Sequence, residues 1–121
     1  MIRRIRVSPV NSLLFLMDAK GGRAPDPIWG QMIHSSPSCI SFACFPEVDG
    51  PTEIAIGPAG EVQPEPLLVF KGELETPSRM IVLETAEHER ILDVPVTRER
   101  TIVHLWYSHP KWPEKIVVGL D

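Results

Sequence analysis

The apolar residues of this chain come in runs of about four to eight, and proline, glycine or an acidic residue closes each run. No segment holds the 3.6-residue period of an amphipathic helix over three turns, and only 84–92 could supply two turns. A chain built this way folds as strands. The runs place strands at 2–7, 12–17, 38–45, 52–56, 66–72, 79–84, 90–96, 100–108 and 115–120. Several alternate in polarity: Ile40, Phe42 and Cys44 share one face, Ser41, Ala43 and Phe45 the other. Others, such as 67–70 and 80–83, are apolar throughout and read as central strands. Strands about ten residues apart with turn signals between them predict an all-β fold, an antiparallel two-sheet β-sandwich of about eight or nine short strands.

At 121 residues and 43% apolar composition the chain is expected to be one domain, 1–121, with one core. Its thirteen prolines are spread between the runs rather than clustered, so they act as turn punctuation. The segment 19–37 breaks the rhythm. It is expected to be a long loop with at most one short helical turn, held to the core by Trp29.

Arg3, Arg4 and Arg6 precede the apolar run 13–17, but that run is shorter than a secretory signal requires and is closed by Asp18 and Lys20. No run approaches the ~20 apolar residues of a membrane helix. A cytoplasmic protein is therefore expected, with no membrane contact. Cys39 and Cys44 are five positions apart on one strand, which puts them on opposite faces with ~16 Å between their Cα atoms. They are too far apart for a disulfide, and free buried thiols are expected.

No chemistry-bearing motif stands out. His34, Ser35 and Ser36 lie together, yet no nucleophile elbow frames either serine. His34, His88, His104 and His109, with the two cysteines, supply zinc-ligand types without zinc-ligand spacing. His104, inside an apolar strand, reads as a hydrogen-bonded structural histidine. Neither a metal nor a cofactor is expected, and the chain is not expected to be an enzyme.

Charge is more informative. The net charge of −4 disfavours direct nucleic-acid binding. Within 47–89 there are ten acidic residues against Lys71 and Arg79, while both flanks are slightly basic. An acidic field of this kind steers a basic partner. The plain alternative is a solvated acidic face. The segment 106–112, with Trp106, Tyr107, His109 and Trp112 braced by Pro110 and Pro113, has the composition of an interface anchor, or alternatively of core and end-cap residues. The candidate partner-binding residues are thus Glu47, Asp49 and Glu53 for steering, and Tyr107, His109 and Trp112 for anchoring. A second reading is a small-ligand or carbohydrate-binding sandwich that stacks sugars on Trp29, Trp106 and Trp112. A hydrolase or metal enzyme on His34 or His104 is a third.

Trp29, Gln31 and Pro37 leading into the strand Ser-Cys-Ile-Ser-Phe at 38–42, then Arg90-Ile91-x-x-Val94-Pro95, and Ser108 before Pro110 and the last strand, resemble the competence protein J family. The resemblance rests on these segments alone. It implies a small intracellular β-sandwich that binds and inhibits a partner nuclease, in the manner of an immunity protein, and it implies no catalytic residues.

Overall fold

The computed structural model describes residues 2–121, and among them there is no α-helix. Ten strands follow in order: β1 (Arg3–Val7), β2 (Leu13–Asp18), β3 (Ile33–Ser36), β4 (Cys39–Ala43), β5 (Thr52–Pro58), β6 (Leu67–Glu75), β7 (Met80–Thr85), β8 (Arg90–Pro95), β9 (Arg100–Tyr107) and β10 (Lys115–Leu120). They form two five-stranded sheets, ordered β1-β5-β10-β9-β6 and β3-β4-β2-β7-β8. The segment 84–92 is not helical. It is the end of β7, a tight turn and the start of β8.

Three expectations about the sheets are corrected, the first being that β6, which carries the run 67–70, lies at the edge of its sheet and not in its centre, with Leu67 and Leu68 exposed. The count is ten strands, because β3 forms inside the segment expected to be loop. Its four residues pair antiparallel with β4, from Ile33 opposite Phe42 to Ser36 opposite Cys39, so the free edge of β4 supplies the hydrogen bonds that its polar sequence does not advertise. The sheets are also not wholly antiparallel, since β5 and β10 run parallel, from Lys115 opposite Glu53 to Leu120 opposite Pro58. A parallel pair cannot be joined by a hairpin, and here residues 59–114, nearly half of the chain, separate the two strands.

Alternation along the strands decides which residues are buried. On β9, Thr101, Val103, Leu105 and Tyr107 are buried, and the residues between them are half-buried. One apolar cluster draws on both sheets: Leu14, Leu16, Ile40, Phe42, Ile81 and Leu83 from one, Ile54, Ile56, Val103, Leu105, Ile116 and Val118 from the other. Each such side chain contributes ~1.5–3 kcal/mol of burial free energy. The opposite-face reading of the cysteines holds. Cys44 joins this cluster, Cys39 packs with Met17 and Val82 in a second, smaller one, and both thiols are free.

The connection from β5 to β6 must pass from the second strand of its sheet to the fifth, so 59–66 crosses the outer face over β10 and β9. Ala59 N–H donates to the Leu120 carbonyl (2.9 Å), and Val62 is buried beneath the crossing. This contact explains Gly119. A Cβ there would lie 3.2 Å from the Ala59 Cα and 2.8 Å from the Trp106 ring.

Candidate functional site

The strand registers bring several loops to one end of the molecule. Glu53 N–H donates to the Glu114 carbonyl (2.8 Å), so the turn before β5 and the loop before β10 lie side by side. Leu67, at the start of β6, stands opposite Tyr107, the last residue of β9. The Tyr107 hydroxyl donates to the Ala43 carbonyl (2.5 Å), and Ala43 N–H donates to the Met32 carbonyl (2.9 Å), which brings in the segment before β3. Six large apolar side chains are exposed among the described residues: Ile28, Trp29, Val48, Leu67, Leu68 and Trp112. All six lie on segments that meet at this end.

Local bonding fixes how each is presented. Gln31 N–H donates to the Ile28 carbonyl (3.1 Å), and Gly30 takes φ +85°, so residues 28–31 form a turn with Trp29 at its tip and Gly30 where a left-handed backbone is required. The His34 ring contacts the same Ile28 carbonyl through Nε2 (3.1 Å). Trp29 is 99% exposed. It does not pin its loop to the core, contrary to expectation; the turn holds it out in solvent. Val48 sits between Glu47 and Asp49 in the single turn Glu47–Asp49, which Ser12 steadies by accepting Glu47 N–H at its Oγ (3.0 Å).

In the 108–114 loop, His109 Nδ1 accepts the N–H groups of Lys111 (3.1 Å) and Trp112 (3.0 Å), and Ser108 Oγ accepts Lys115 N–H (3.1 Å). His109 thus shapes the loop, and Trp112 stands out from it 54% exposed.

The sequence-derived candidates fare differently. Glu47, Asp49, His109 and Trp112 are each exposed, on the turn before β5 and the loop before β10. Tyr107 is corrected: it is 1% exposed, inside the core, and can act only by holding the 108–114 loop to the other sheet. Burial, with Cys44 nearby, pushes its phenol far above the ordinary range. Glu53 is exposed on β5 but pairs with Arg6 (3.6 Å) and stands beside Lys115. Two further acids of the 47–89 segment are also met by flanking arginines, Glu73 by Arg100 (3.2 Å) and Glu84 by Arg90 (3.5 Å). Folding therefore neutralises part of the acidic block. Ile28, Val48, Leu67 and Leu68 escaped sequence reasoning, although Val48 between two acids in a proline-bounded turn was a readable signal.

The alternative sites lose support from their surroundings. Trp106 lies beneath the 59–66 crossing, stacked on His104 (ring centroids 5.5 Å apart), and does not form a platform with Trp29 and Trp112. His104 is not the hydrogen-bonded residue expected, for its Nδ1 is buried without a partner among the described residues. Ser36 Oγ donates to the Arg23 carbonyl (2.6 Å) rather than to His34. Burial pushes the Cys39 thiol up to about 11 and the Cys44 thiol up to about 12, so neither is a thiolate at neutral pH. Among the described residues no group of three His, Cys, Asp or Glu side chains could hold a metal ion. Chelation with EDTA is accordingly expected to leave the melting temperature unchanged, and one zinc per purified chain by elemental analysis would contradict this.

No protein-family model matches the chain, and no curated protein matches it. Among solved structures, the chain is similar to ComJ from Bacillus subtilis, an inhibitor of the DNA-degrading activity of NucA, with a TM-score of 0.69 at 12% identity over 99% of this chain and 97% of that one. It is also similar to the protein of crocagin biosynthetic gene J, with a TM-score of 0.59 at 10% identity over 99% and 96% of the two chains. The likeness to ComJ agrees with the family resemblance seen in the sequence, at the level of the fold.

Proposed function

We propose that this chain is a protein-binding inhibitor that acts inside the cell on a basic enzyme, in the narrowest form a nuclease, with the two sheets as a β-sandwich that holds the binding loops. The observation that carries this reading is that the six exposed large apolar side chains among the described residues all lie on segments that meet at one loop end. Exposed apolar clusters of this kind, rimmed by charge, mark protein-interaction surfaces. Glu47 and Asp49 flank Val48 there, which suits a partner with a basic rim. The fold shared with ComJ supports an inhibitory role, and no residue is assigned a catalytic one. Trp29 and Trp112 are the anchors, Glu47 and Asp49 the steering charges, and His109 the residue that holds Trp112 in place.

The test is inhibition of DNA degradation. Plasmid DNA is incubated with NucA, and separately with any nuclease encoded next to this chain's gene, with and without stoichiometric protein. Protection of the DNA together with measurable association is the expected result for one of these enzymes. Undiminished degradation and no association for either would remove the nuclease version.

A further inference from the structure

The 59–66 crossing covers β10 and β9 but leaves the β1 and β5 side of the same face open. It begins with a tight turn in which Glu61 N–H and Val62 N–H both donate to the Pro58 carbonyl (2.9 and 3.1 Å). Between the crossing and β1 opens a cleft of about 670 Å³, within the size range of small-ligand sites. Arg4 and Arg6 line it from β1, Lys115 from β10, and Gln63 and Glu65 from the crossing, over a floor that includes Ala55 and Val117.

The register explains why cations collect here. Arg6, Glu53 and Lys115 form one cross-strand row, and Arg4, Ala55 and Val117 form another in the same cleft. The Glu53 carboxylate pairs with the Arg6 guanidinium, and Lys115 stands opposite it on β10, which leaves one positive charge in surplus. Arg4, two residues from Arg6 and so on the same face, has no ion-pair partner among the described residues. The short Ala55 side chain leaves room above the floor where these cations converge. Charged side chains also guard an edge strand against strand addition. That role is already served by Arg3, which points the other way and pairs with Asp93 (4.0 Å). In a chain of net charge −4, diffuse attraction of anions is weak, so binding here must come from local geometry.

We propose that this cleft binds the oxyanion of a small molecule, a carboxylate or a phosphate, held by Arg4 and Lys115 on either side of the Glu53–Arg6 pair. An arginine guanidinium matches a planar or tetrahedral oxyanion with paired N–H donors, and a lysine adds a mobile point charge. Glu65 on the far wall excludes a second anionic group there and accepts from a hydroxyl or amine of the ligand. The site lies on the outer face of the sheet, reaches the loop end only at Glu53 and Lys115, and does not rest on the inhibitor reading.

The experiment is a two-dimensional ¹H–¹⁵N NMR titration of the full chain at low ionic strength with sodium phosphate, with sodium acetate and, as the ionic control, with sodium chloride. The expected result is saturable shifts confined to residues 4–6, 53–55, 62–65 and 115–117, and the anion that saturates at lower concentration identifies the oxyanion. Arg4→Gln and Lys115→Gln should each weaken binding about tenfold, while Arg23→Gln, beside the edge strand β3 of the other sheet, should leave it unchanged. Both test residues are on strand surfaces, and a preserved spectrum confirms that the variants fold. Shifts that fail to saturate, that chloride reproduces, that scatter over the basic surface, or that persist equally in Arg4→Gln and Lys115→Gln would overturn the site.

Discussion

Asp18→Ala is expected to melt about 10 °C below the wild type, a loss of about 3 kcal/mol. Asp18 ends β2 and is 1% exposed, a rare setting for a carboxylate. One oxygen accepts the Ser78 N–H (3.0 Å) and the Ser78 hydroxyl (2.7 Å), and the other accepts the Lys20 N–H (3.0 Å). The carboxylate therefore ties the turn after β2 to the turn before β7. Removing it leaves these donors without their acceptor. Burial opposes its ionisation, but the hydrogen bonds from Lys20 N–H, the Ser78 hydroxyl and Ser78 N–H, with the Lys20 charge, outweigh burial and hold the carboxyl below its ordinary value of 3.8. The folded form thus binds the proton less readily than the unfolded chain. The stability this supplies is complete above the ordinary carboxyl range and is lost as pH falls through the lowered folded value. Thermal melts of wild type and Asp18→Asn across the acid range should converge as pH falls. A constant gap, or an Asp18→Ala variant that melts with the wild type, would show that this network does not matter.

Against an enzyme that the protein inhibits, Trp29→Ala and Trp112→Ala should each speed dissociation about thirtyfold, the equivalent of ~2 kcal/mol for a buried interface tryptophan. Both side chains stand in solvent in the free protein, so their removal should leave the melting temperature nearly unchanged. Glu47→Lys with Asp49→Lys should act on the other rate, slowing association and flattening its dependence on salt, because exposed charges steer the encounter and are screened over ~8 Å. Glu53→Lys should change association less, since Arg6 and Lys115 already offset that carboxylate. Surface-plasmon kinetics at several salt concentrations separate these effects. Tryptophan variants that dissociate at the wild-type rate would mean that the partner docks elsewhere.

The local part of this fold was legible in the residues. Short apolar runs ended by Pro, Gly and acids located nine of the ten strands, and alternation put Ile40, Phe42 and Cys44 on one face, which the fold makes the core face, and the two cysteines on opposite faces, because side-chain direction along a strand depends only on sequence spacing. The exposure of the acids at 47 and 49 was legible in the same way. What depends on partners distant in sequence was not. Ile33–Ser36 becomes a strand because β4 offers it an unpaired edge, and β5 and β10 run parallel because the β-sheet order places them together. Tyr107 and Trp29 exchanged their expected places for the same reason. The first finds its hydrogen-bond acceptor, Ala43, in the opposite sheet, while the second sits at the tip of a turn that no other element covers. The acidic block, continuous in sequence, is divided in space by arginines from both flanks. Sequence spacing sets which way each side chain points, but burial, pairing and charge neutralisation depend on which strands become neighbours, and only the folded sheets determine that.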